Sequence, residues 1–348
     1  MFSQTEVGIL GATGNVGQQF VAQLEGHPFF RVSWLAGSER SEGRCLNDLP
    51  WRLSRPLPES AGRLRIEAAQ PGGGPRLVFS ALDSSVAGPI EAAFAEAGHI
   101  VVSNSRNHRM DPQVPLVVPE VNPDHLELLV AQRRVKGWTG AIVTNPNCST
   151  VFLAMALGAL RQFRPKSVLV TTLQAVSGAG YPGVASLDIL GNVIPAIDGE
   201  EEKMETETRK ILGALRRDRV EPHAVVVSAQ TTRVPVADGH TESVAVRFEE
   251  HPSLDDVRAA FETFTGRPQH HRLPSAPLCP IVYTEQPNRP QPRLDVERFG
   301  GMVVHVGRLR PCPVLDYKFV ALGHNTIRGA AGAAVLNAEL MAAEGLLD

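Results

Sequence analysis

The first part of the chain alternates short apolar runs with amphipathic stretches. The apolar runs predict buried strands at 7–10, 32–35, 77–80, 99–103 and 141–144. Helices are predicted at 14–24 and 86–97, where apolar residues recur every three or four positions. Alternation of strands and helices is typical of βαβ units, so we expect a parallel sheet.

After residue 148 the pattern changes to longer strand-like runs that are joined by loops and isolated helices. The predicted strands are 167–176, 224–228, 242–248, 301–306 and 315–322. The predicted helices are 200–215, 254–265 and 326–341, whereas 274–292 is rich in proline and predicted to be irregular. This second pattern favours a mixed sheet with helices on one face, as in an α+β domain.

A glycine-rich loop, GATGNVG at 11–17, lies between the first strand and the first helix. Glycines in that place allow a tight turn and bring backbone close to a diphosphate at the helix N-terminus. The spacing is G-x-x-G-x-x-G rather than G-x-G-x-x-G, but the strand–loop–helix context predicts dinucleotide binding. The candidate cofactor residues of this loop are Gly11, Thr13, Gly14, Asn15 and Val16.

The end of the second strand bears on which dinucleotide is bound. An acidic residue that reads the ribose 2′-hydroxyl of NAD is typical there. Here Ser38, Arg40 and Ser41 suit a 2′-phosphate and favour NADP, although Glu39 and Glu42 oppose that choice. The alternative is a polar surface loop with no ligand. Ser80, at the end of the strand 77–80, is a further cofactor candidate.

A single thiol stands where the strand 141–144 ends and a helix begins, in the segment NPNCST at 145–150. The positive end of a helix dipole stabilises a thiolate, and free backbone N–H groups there stabilise an oxyanion. Cys148 is therefore a candidate nucleophile. The alternative is a small buried residue at the start of a core helix.

A nucleophilic cysteine beside a dinucleotide domain indicates aldehyde oxidation or acyl reduction through a thioester, which needs a base. His240, in RVPVADGH at 233–240, is the best-placed histidine, although a histidine in a loop is more often structural. Arg109 and Arg233 are candidate anchors for an acidic substrate. The run of three glutamates at 200–202 suits the start of a helix. Lys203 can then be simply a solvated partner of these glutamates, and its spacing alone does not assign it a role.

Composition narrows the class of protein. At 348 residues the chain exceeds the size of about 250–300 residues at which single cores stop growing, so two domains are expected. It is 43% hydrophobic and 20% charged with a net charge of −3, and it has no basic patch for nucleic acid. No apolar run approaches the roughly 20 residues of a membrane span, and no signal peptide precedes the first strand.

The cysteine pattern points to a reducing compartment. Cys45, Cys148, Cys279 and Cys312 are far apart and show neither disulfide nor zinc spacing. We therefore expect free thiols, a cytoplasmic protein and no metal site.

Several motifs together resemble aspartate-semialdehyde dehydrogenase, most closely its archaeal and fungal branch. They are NPNCST at 145–150, QAVSGAGYPG at 174–183, GEEEK at 199–203, RVPVADGHTE at 233–242 and HNTIRGAAG at 324–332. The glycine loop and the segment 102–109 are also similar to that family, so the resemblance runs from residue 7 to the last helix. At Ser105, Arg106 and His108 the family often has Ala, Lys and Tyr.

The resemblance implies reversible, NADP-dependent, phosphorylating oxidation of L-aspartate 4-semialdehyde to L-4-aspartyl phosphate. In cells the reaction runs as a reduction on the route to lysine, methionine, threonine and diaminopimelate. The implied architecture is α/β: a Rossmann-type NADP-binding domain at 1–147, completed by the C-terminal helix at 325–348. An α+β catalytic and dimerisation domain with a mixed sheet occupies 148–324, and the implied assembly is a homodimer or homotetramer.

The resemblance also implies roles for individual residues. Cys148 is the acylated nucleophile and His240 the acid and base. Gln174 orients the substrate, Arg233 binds its carboxylate, and Glu201 holds its amino group, with Glu200 as the alternative. The implied phosphate ligands are Lys203, Arg109 and Asn107, and the residues along the nicotinamide are Ser177, Gly178, Asn325 and Thr326.

Two other functions are compatible with parts of the pattern. Malonyl-CoA reductase of some archaea resembles the same branch and keeps the cysteine and histidine, but it releases CoA rather than phosphate. Arg109, Lys203, Arg233 and the glutamate run favour a compact, charged amino-acid phosphate over an acyl-CoA. A catalytically silent NADP sensor is the other alternative, and the presence of both nucleophile and base opposes it.

Overall fold

The computed structural model describes residues 4–347. The elements up to residue 144 are β1 (Thr5–Leu10), α1 (Asn15–Gln23), β2 (Phe30–Gly37), α2 (Glu59–Gly62), β3 (Ile66–Ala68), β4 (Leu77–Ser80), α3 (Ser84–Glu96), β5 (Ile100–Ser103), α4 (Leu128–Lys136) and β6 (Ala141–Thr144).

The elements that follow, up to β11, are α5 (Cys148–Ala159), β7 (Pro165–Gln174), α6 (Ser186–Ile189), α7 (Glu200–Ile211), β8 (Ala214–Arg216), β9 (Arg219–Glu221), β10 (Val226–Arg233) and β11 (His240–Phe248). The last elements are α8 (Leu254–Glu262), α9 (Arg267–His270), β12 (Ile281–Thr284), α10 (Pro292–Asp295), β13 (Val304–Pro311), β14 (Tyr317–Gly323) and α11 (Gly332–Ala343). A π-helical turn, Ile327–Ala331, precedes α11.

The first sheet is parallel, with its six strands in the order β3-β2-β1-β4-β5-β6. Every residue of β4, β5 and β6 is buried, as expected for parallel strands covered by helices on both faces. This strand order is that of a dinucleotide-binding fold, whose ligand crevice lies where the order reverses, between β1 and β4. The predicted parallel sheet is confirmed.

The end of the chain returns to this first sheet. Residues of the π-helical turn and of α11 share one apolar core with β1, β4 and β5. The return is fixed by an ion pair between Arg328 and Glu120, which are both fully buried, with 2.9 Å between Arg328 Nη1 and Glu120 Oε1. A buried pair of this kind is costly to break from one side, because the remaining charge is left without a partner.

The second sheet is mixed, with its strands in the order β10-β7-β11-β14-β13-β12. β10 pairs parallel with β7, β12 pairs parallel with β13, and the other pairs are antiparallel. Burial alternates along β7 and β11, so one face of the sheet is covered and the other is not. The covered face packs against α5, which is apolar around its circumference and almost wholly buried, and against α7 and α8. The predicted mixed sheet is confirmed.

Several predicted elements differ from the observed ones. The ends of several strands are shifted, as for 301–306, which is observed as β13, and α4 and β3 were not predicted. The segment 274–292 contains a short strand, β12, which completes the edge of the mixed sheet beside β13. The helix predicted at 200–215 ends at Ile211, because residues 214–216 pair with β9 instead of continuing the helix. The turn between them passes so close to Glu221 that a Cβ on Gly213 would lie 2.4 Å from its carbonyl oxygen. The last predicted helix opens as a π-helical turn, in which a Cβ on Gly329 would lie 2.7 Å from Cys148 Cβ.

Candidate active site

Cys148 is the first residue of α5, directly after the loop that follows β6. Asn147 caps the helix, and its side-chain oxygen accepts hydrogen bonds from the N–H groups of Ser149 (3.1 Å) and Thr150 (3.3 Å). These two N–H groups are therefore already engaged, so they do not form the free oxyanion site that the sequence pattern predicts. The placement of the thiol at a helix start agrees with the prediction.

The electrostatic surroundings of the thiol differ from the prediction. Burial raises the pKa of Cys148 to about 12, and the charge of Glu200 raises it further. The charges of Arg109 and Arg233 and a hydrogen bond with the Ser149 N–H act in the opposite direction. Desolvation of the thiolate outweighs the helix terminus, so the thiol of the free protein is protonated at neutral pH.

Three of the predicted site residues lie side by side on the covered face of the mixed sheet. Arg233, the last residue of β10, is paired with Gln174 at the end of β7. His240, the first residue of β11, stands beside the same end, because Thr241 pairs with Leu173. The peptide of Ala175 joins them: its N–H donates to His240 Nδ1 at 3.0 Å, and its carbonyl accepts from Arg233 Nη1 at 2.7 Å.

The protonation of His240 follows from these contacts. Since Nδ1 accepts from the Ala175 N–H, the neutral ring carries its proton on Nε2. That Nε2 is buried and has no hydrogen-bond partner among residues 4–347. Burial lowers the pKa of His240 to about 3, and the neighbouring Arg233 cation acts in the same direction. A Cβ on Gly178 would come within 3.0 Å of Nε2, so glycine at 178 keeps this space open.

The run of glutamates at the start of α7 divides its members between two directions. Glu200 faces the site: its Oε2 accepts from Asn147 Nδ2 at 2.8 Å and from Gln174 Nε2 at 3.4 Å, and its Oε1 accepts from Lys203 Nζ at 2.7 Å. Glu201 instead accepts a hydrogen bond from the Thr231 N–H of β10 at 3.0 Å. The structure thus brings Glu200 and Lys203 together with Gln174, whereas Glu201 turns toward the sheet.

The two predicted phosphate ligands on the loop after β5 point in different directions. Arg109 is buried and pairs through Nη1 with Glu207 Oε1 at 2.9 Å, while its Nη2 donates to the Asn104 carbonyl at 2.7 Å. Asn107 donates from Nδ2 to the Ser84 carbonyl at 3.0 Å and packs against α3. Through Glu207, Arg109 is linked to the residue before Cys148, whereas Asn107 contacts α3 and accepts a hydrogen bond from Ser105 Oγ.

The glycine loop after β1 has the geometry of a dinucleotide cradle. Gly11 has φ +76°, and a Cβ there would lie 2.6 Å from the Ala81 carbonyl oxygen. A Cβ on Gly17 would meet the Gly11 carbonyl oxygen at 2.1 Å, so helix and strand approach closely. Asn15 Oδ1 is buried and has no hydrogen-bond partner within the described chain. Of the other predicted residues, Thr13 and Gly14 lie in the same turn, and Val16 lies in the first turn of α1.

The other predicted coenzyme residues flank this turn. Ser38 and Arg40 are exposed in the loop after β2, whereas Ser41 is buried and donates its hydroxyl to the Ser38 carbonyl at 2.9 Å. Ser80 is buried at the end of β4. An exposed guanidinium beside the end of β2 suits a 2′-phosphate.

A cavity of about 380 Å³ lies between the start of α1 and the segment 176–183, and its walls include Asn15, Ser177 and Thr326. Asn325 links the two sides of this region, since its Nδ2 donates to Ser177 Oγ at 2.8 Å and its Oδ1 accepts from the Gly239 N–H at 2.8 Å. Gly178 follows Ser177 in the chain and borders the open space beside His240 Nε2. These residues fit the nicotinamide end of a dinucleotide.

Sequence reasoning missed three residues that hold the site together. Glu207 joins Arg109 to the start of α5, Lys210 holds the loop after β5, and Asn147 links the helix cap to Glu200. Glu207 and Lys210 follow Glu200 at intervals of seven and ten residues, which places them on the same side of one helix. That periodicity was the available signal, because charged residues on the inward side of a helix are buried only with partners.

Two family profiles match the chain. The profile described as "Semialdehyde dehydrogenase, NAD binding domain" matches residues 6–129, and the one described as "Semialdehyde dehydrogenase, dimerisation domain" matches residues 157–328. Between them they span most of the sequence.

Full-length relatives agree with these profiles. Aspartate-semialdehyde dehydrogenase of Methanothermobacter thermautotrophicus is 49% identical over 341 residues, which cover 96% of this chain and 98% of the relative. A crystal structure of aspartate-semialdehyde dehydrogenase with NADP from Candida albicans superposes with a TM-score of 0.92 at 42% identity, covering 99% of this chain and 100% of the other.

A more distant solved structure preserves the fold. Aspartate-semialdehyde dehydrogenase II of Vibrio cholerae, complexed with ASA, has a TM-score of 0.79 at 26% identity, with 98% and 99% of the two chains covered. Separately, none of the helices formed within residues 4–347 has the length and apolar character needed to cross a bilayer.

Proposed function

Because this chain belongs to the aspartate-semialdehyde dehydrogenase family, we propose that it catalyses the reversible, NADP-dependent, phosphorylating oxidation of L-aspartate 4-semialdehyde to L-4-aspartyl phosphate. The observation that carries the proposal is the set of charges gathered at the start of α5. Glu207 links Arg109 to the Asn147 N–H, the Asn147 side chain donates to Glu200, and Arg233 stands at the end of β10 beside Gln174. A substrate with a carboxylate, an ammonium and a phosphate needs two cationic sites and one anionic site. In the biosynthetic direction the product is the semialdehyde that leads to lysine, methionine and threonine.

The substrate groups are assigned by charge. Arg233 binds the α-carboxylate from the row that also holds Gln174 and His240. Glu200 binds the α-amino group, since it faces the site whereas Glu201 bonds to β10. Lys203 and Arg109 bind the phosphate, with Lys203 supplying the more exposed charge. Asn107 is the weakest member of this group, because its amide is engaged with α3.

The coenzyme is held by the glycine loop, by Ser38, Arg40 and Ser41 at the 2′-phosphate, and by Ser177, Gly178, Asn325 and Thr326 at the nicotinamide. This placement is supported by Asn15 Oδ1, which is buried without a hydrogen-bond partner in the described chain. It is also supported by the close approach of backbone to backbone at Gly11 and Gly17. NADPH supplies the hydride that reduces the thioester carbon of the acylated Cys148.

The covalent steps belong to Cys148. In the biosynthetic direction its thiolate attacks the acyl carbon, the C–S bond forms, and the C–O bond to phosphorus breaks, with the electron pair leaving on inorganic phosphate. After reduction, the carbonyl re-forms as the C–S bond breaks and the sulfur leaves as thiolate, while the hydroxyl proton is taken by a base. A thioester divides one difficult acyl reduction into two easier displacements.

The thiol must first lose its proton. Because burial raises the pKa of Cys148 to about 12, the free protein carries the thiol rather than the thiolate at pH 7. Glu200 is one cause of the raised pKa, so a substrate ammonium at Glu200 removes part of the charge that opposes ionisation. Anchoring of the substrate thereby also activates the nucleophile.

His240 acts at the carbonyl oxygen. With its proton on Nε2, the ring is a hydrogen-bond donor for the oxyanion that forms on the acyl carbon. To accept a proton at Nε2 the ring must shift its own proton to Nδ1, which requires release of the Ala175 N–H. The loss of one oxyanion donor costs about 3–4 kcal/mol of activation free energy in other enzymes.

We also propose that the chain assembles as a homodimer, with a homotetramer as the alternative. The outer face of the mixed sheet exposes Leu169, Leu173 and Val226, and the matching profile carries the description of a dimerisation domain. The division into a coenzyme unit, 1–147 with 325–348, and a catalytic unit, 148–324, is supported by the apolar cores. Two of them belong mainly to the first unit, with Leu273 and Met302 added from the second, and one belongs mainly to the second unit, with Leu116 and Val118 added from the first.

A coupled absorbance assay tests the activity. We expect NADPH to form from aspartate semialdehyde only when phosphate is present, and faster with NADP than with NAD. NADPH oxidation with malonyl-CoA and none with aspartyl phosphate would instead assign the chain to acyl-CoA reduction. Coenzyme binding without turnover of either substrate would assign it to the silent class.

A further inference from the structure

Glu207 lies on α7 and is almost completely buried, with 2% of its surface exposed. Its two carboxylate oxygens serve two different parts of the active site. Oε1 accepts from Arg109 Nη1 at 2.9 Å, and Oε2 accepts from the backbone N–H of Asn147 at 2.7 Å. One side chain therefore connects the arginine proposed to bind phosphate with the residue that precedes the nucleophile.

The arginine side of this connection is fixed at several points. The Nη2 group of Arg109 donates to the Asn104 carbonyl at 2.7 Å. Lys210, one helical turn after Glu207, donates to the carbonyls of Arg109 (2.7 Å), Asp111 (2.8 Å) and Val114 (2.8 Å). All three hydrogens of the Lys210 ammonium are thus used. Helix α7 therefore binds the backbone of the loop through Lys210 and the guanidinium of Arg109 through Glu207.

The nucleophile side is fixed in the same way. Asn147 uses its N–H for Glu207, its Oδ1 for the first turn of α5, and its Nδ2 for Glu200 Oε2 at 2.8 Å. Glu200 and Glu207 are seven residues apart, which is about two turns on one side of α7. The residue before Cys148 is consequently held by two carboxylates of one helix.

We propose that Glu207 is a positioning residue that sets the separation between the Arg109 guanidinium and Cys148, so that an acyl phosphate is bound at its phosphate and attacked at its carbon by one rigid unit. The proposal rests on the function proposed above. A positioning role for Glu207 differs from that of a purely stabilising ion pair. Loss of the link alters both the reactivity of the thiol and kcat/KM for phosphate in a protein that is still folded. Misplacement of reacting groups by about 1 Å can cost about 10²-fold in rate.

The substitution Glu207→Gln separates these possibilities because it preserves the shape of the side chain. Arg109 Nη1 and the Asn147 N–H are both donors, and a glutamine offers an acceptor at one end and a donor at the other. One of the two contacts must therefore be lost. The matched control is Glu205→Gln on the same helix, whose carboxylate also accepts a backbone N–H, that of Ala229 at 3.0 Å, but on β10.

For Glu207→Gln we expect kcat/KM for phosphate, in the oxidative direction, to fall by at least about tenfold. Alkylation of Cys148 by iodoacetamide, followed by mass spectrometry in the absence of substrate, should become at least about fivefold faster, because the start of α5 loosens. Both quantities should stay within about twofold of the wild type in Glu205→Gln.

Three results would overturn the proposal. The first is a Glu207→Gln protein whose phosphate kcat/KM and alkylation rate match those of the wild type. The second is an equal loss in Glu205→Gln. The third is a lower KM for phosphate with unchanged kcat, which would mean that Glu207 merely masks Arg109.

A second variant and the substrate-free alkylation comparison keep the test decisive. If Glu207→Gln does not fold, Glu207→Asp keeps the charge but shortens the link, and a wild-type kcat/KM for phosphate in that variant overturns the proposal. If the wild-type protein shows no phosphate-dependent NADPH formation, the proposed function fails by itself. The alkylation comparison needs no substrate and still tests the link between Glu207 and the start of α5.

Discussion

The coenzyme side and the catalytic side of the site consist of different kinds of chemical group. The coenzyme side consists mainly of backbone and small residues in the turn between β1 and α1, where Gly11 and Gly17 permit the close contacts. The catalytic side consists of buried charged side chains from α5, α7, β10, β11 and the loop after β5. The glycine loop is formed by residues that are adjacent in the chain, although its backbone also contacts Ala36 and Ala81. A buried charge depends on side-chain partners from distant parts of the chain.

This difference predicts two kinds of failure. A buried carboxylate or guanidinium that loses its partner destabilises a protein by several kcal/mol, commonly about 3–5 kcal/mol. Substitutions on the catalytic side are therefore expected to change both the chemistry and the folded state. Substitutions in the exposed coenzyme loop should change coenzyme affinity and leave the reactivity of the thiol unchanged.

The largest effect is expected for Cys148→Ala. Removal of the sulfur abolishes the thioester route, so kcat should fall by at least about 10⁴-fold. Binding of NADP, measured by fluorescence titration, should remain within about twofold of the wild type, because the coenzyme contacts lie elsewhere. The exposed Cys279 supplies the control, and Cys279→Ala should keep its activity. Turnover in Cys148→Ala would contradict the assignment of the nucleophile.

His240→Asn comes second. The asparagine oxygen can still accept the Ala175 N–H, but the donor at Nε2 is gone, so kcat should fall by about 10²–10⁴-fold. Rates of Cys148 alkylation and of aldehyde turnover, compared in the same preparation, show whether the loss lies in the chemistry. An unchanged kcat would place the acid or oxyanion donor on another residue.

The same substitution tests the pKa of His240. Its folded pKa of about 3 lies below the unfolded value of about 6.5, so the unfolded chain binds the additional proton as pH falls. The neutral His240 ring therefore contributes to the stability of the folded state. This stabilisation is complete above about pH 6.5 and is lost toward pH 3, at up to about 1.4 kcal/mol of unfolding free energy per pH unit. Denaturant unfolding between pH 7 and 4 should therefore show a shallower pH dependence in His240→Asn than in the wild type or in His251→Asn, whose histidine is exposed.

Glu200→Gln should have an intermediate effect of two opposite signs. Loss of the anionic partner raises KM for aspartate semialdehyde by about tenfold or more. The pKa of Cys148 falls at the same time, because one of its two main causes of elevation is removed, so alkylation at pH 8 becomes faster. Steady-state kinetics of Glu200→Gln and Glu201→Gln show which carboxylate binds the amino group, because its loss raises KM for aspartate semialdehyde more. A larger rise in KM for Glu201→Gln would assign the amino group to Glu201.

The smallest effect is expected for Arg40→Ala in the coenzyme loop. Loss of a charged contact to the 2′-phosphate raises KM for NADP by about tenfold, while KM for NAD stays within about twofold. Arg44→Ala, in the same exposed loop, is the control. A changed alkylation rate of Cys148 in Arg40→Ala would contradict the separation of the two sides of the site.

The local features of this protein could be predicted from its sequence. The glycine loop, the start of α5 at Cys148 and the parallel strands depend on residues adjacent in the chain or on a simple period, which is why their positions agree with the structure. The candidates Arg233 and His240 also follow from short motifs, and their neighbourhood with Gln174 follows from the ends of adjacent strands.

The tertiary structure decided what each charge does. It turned Glu200 toward the site and Glu201 toward β10, and it raised the pKa of Cys148 through burial, where the helix terminus alone predicted a lower value. It also placed Glu207 between Arg109 and Asn147, residues that lie 98 and 60 positions away. The free energy of a charge depends on its desolvation and on its partners, and both are set by the packing of distant segments.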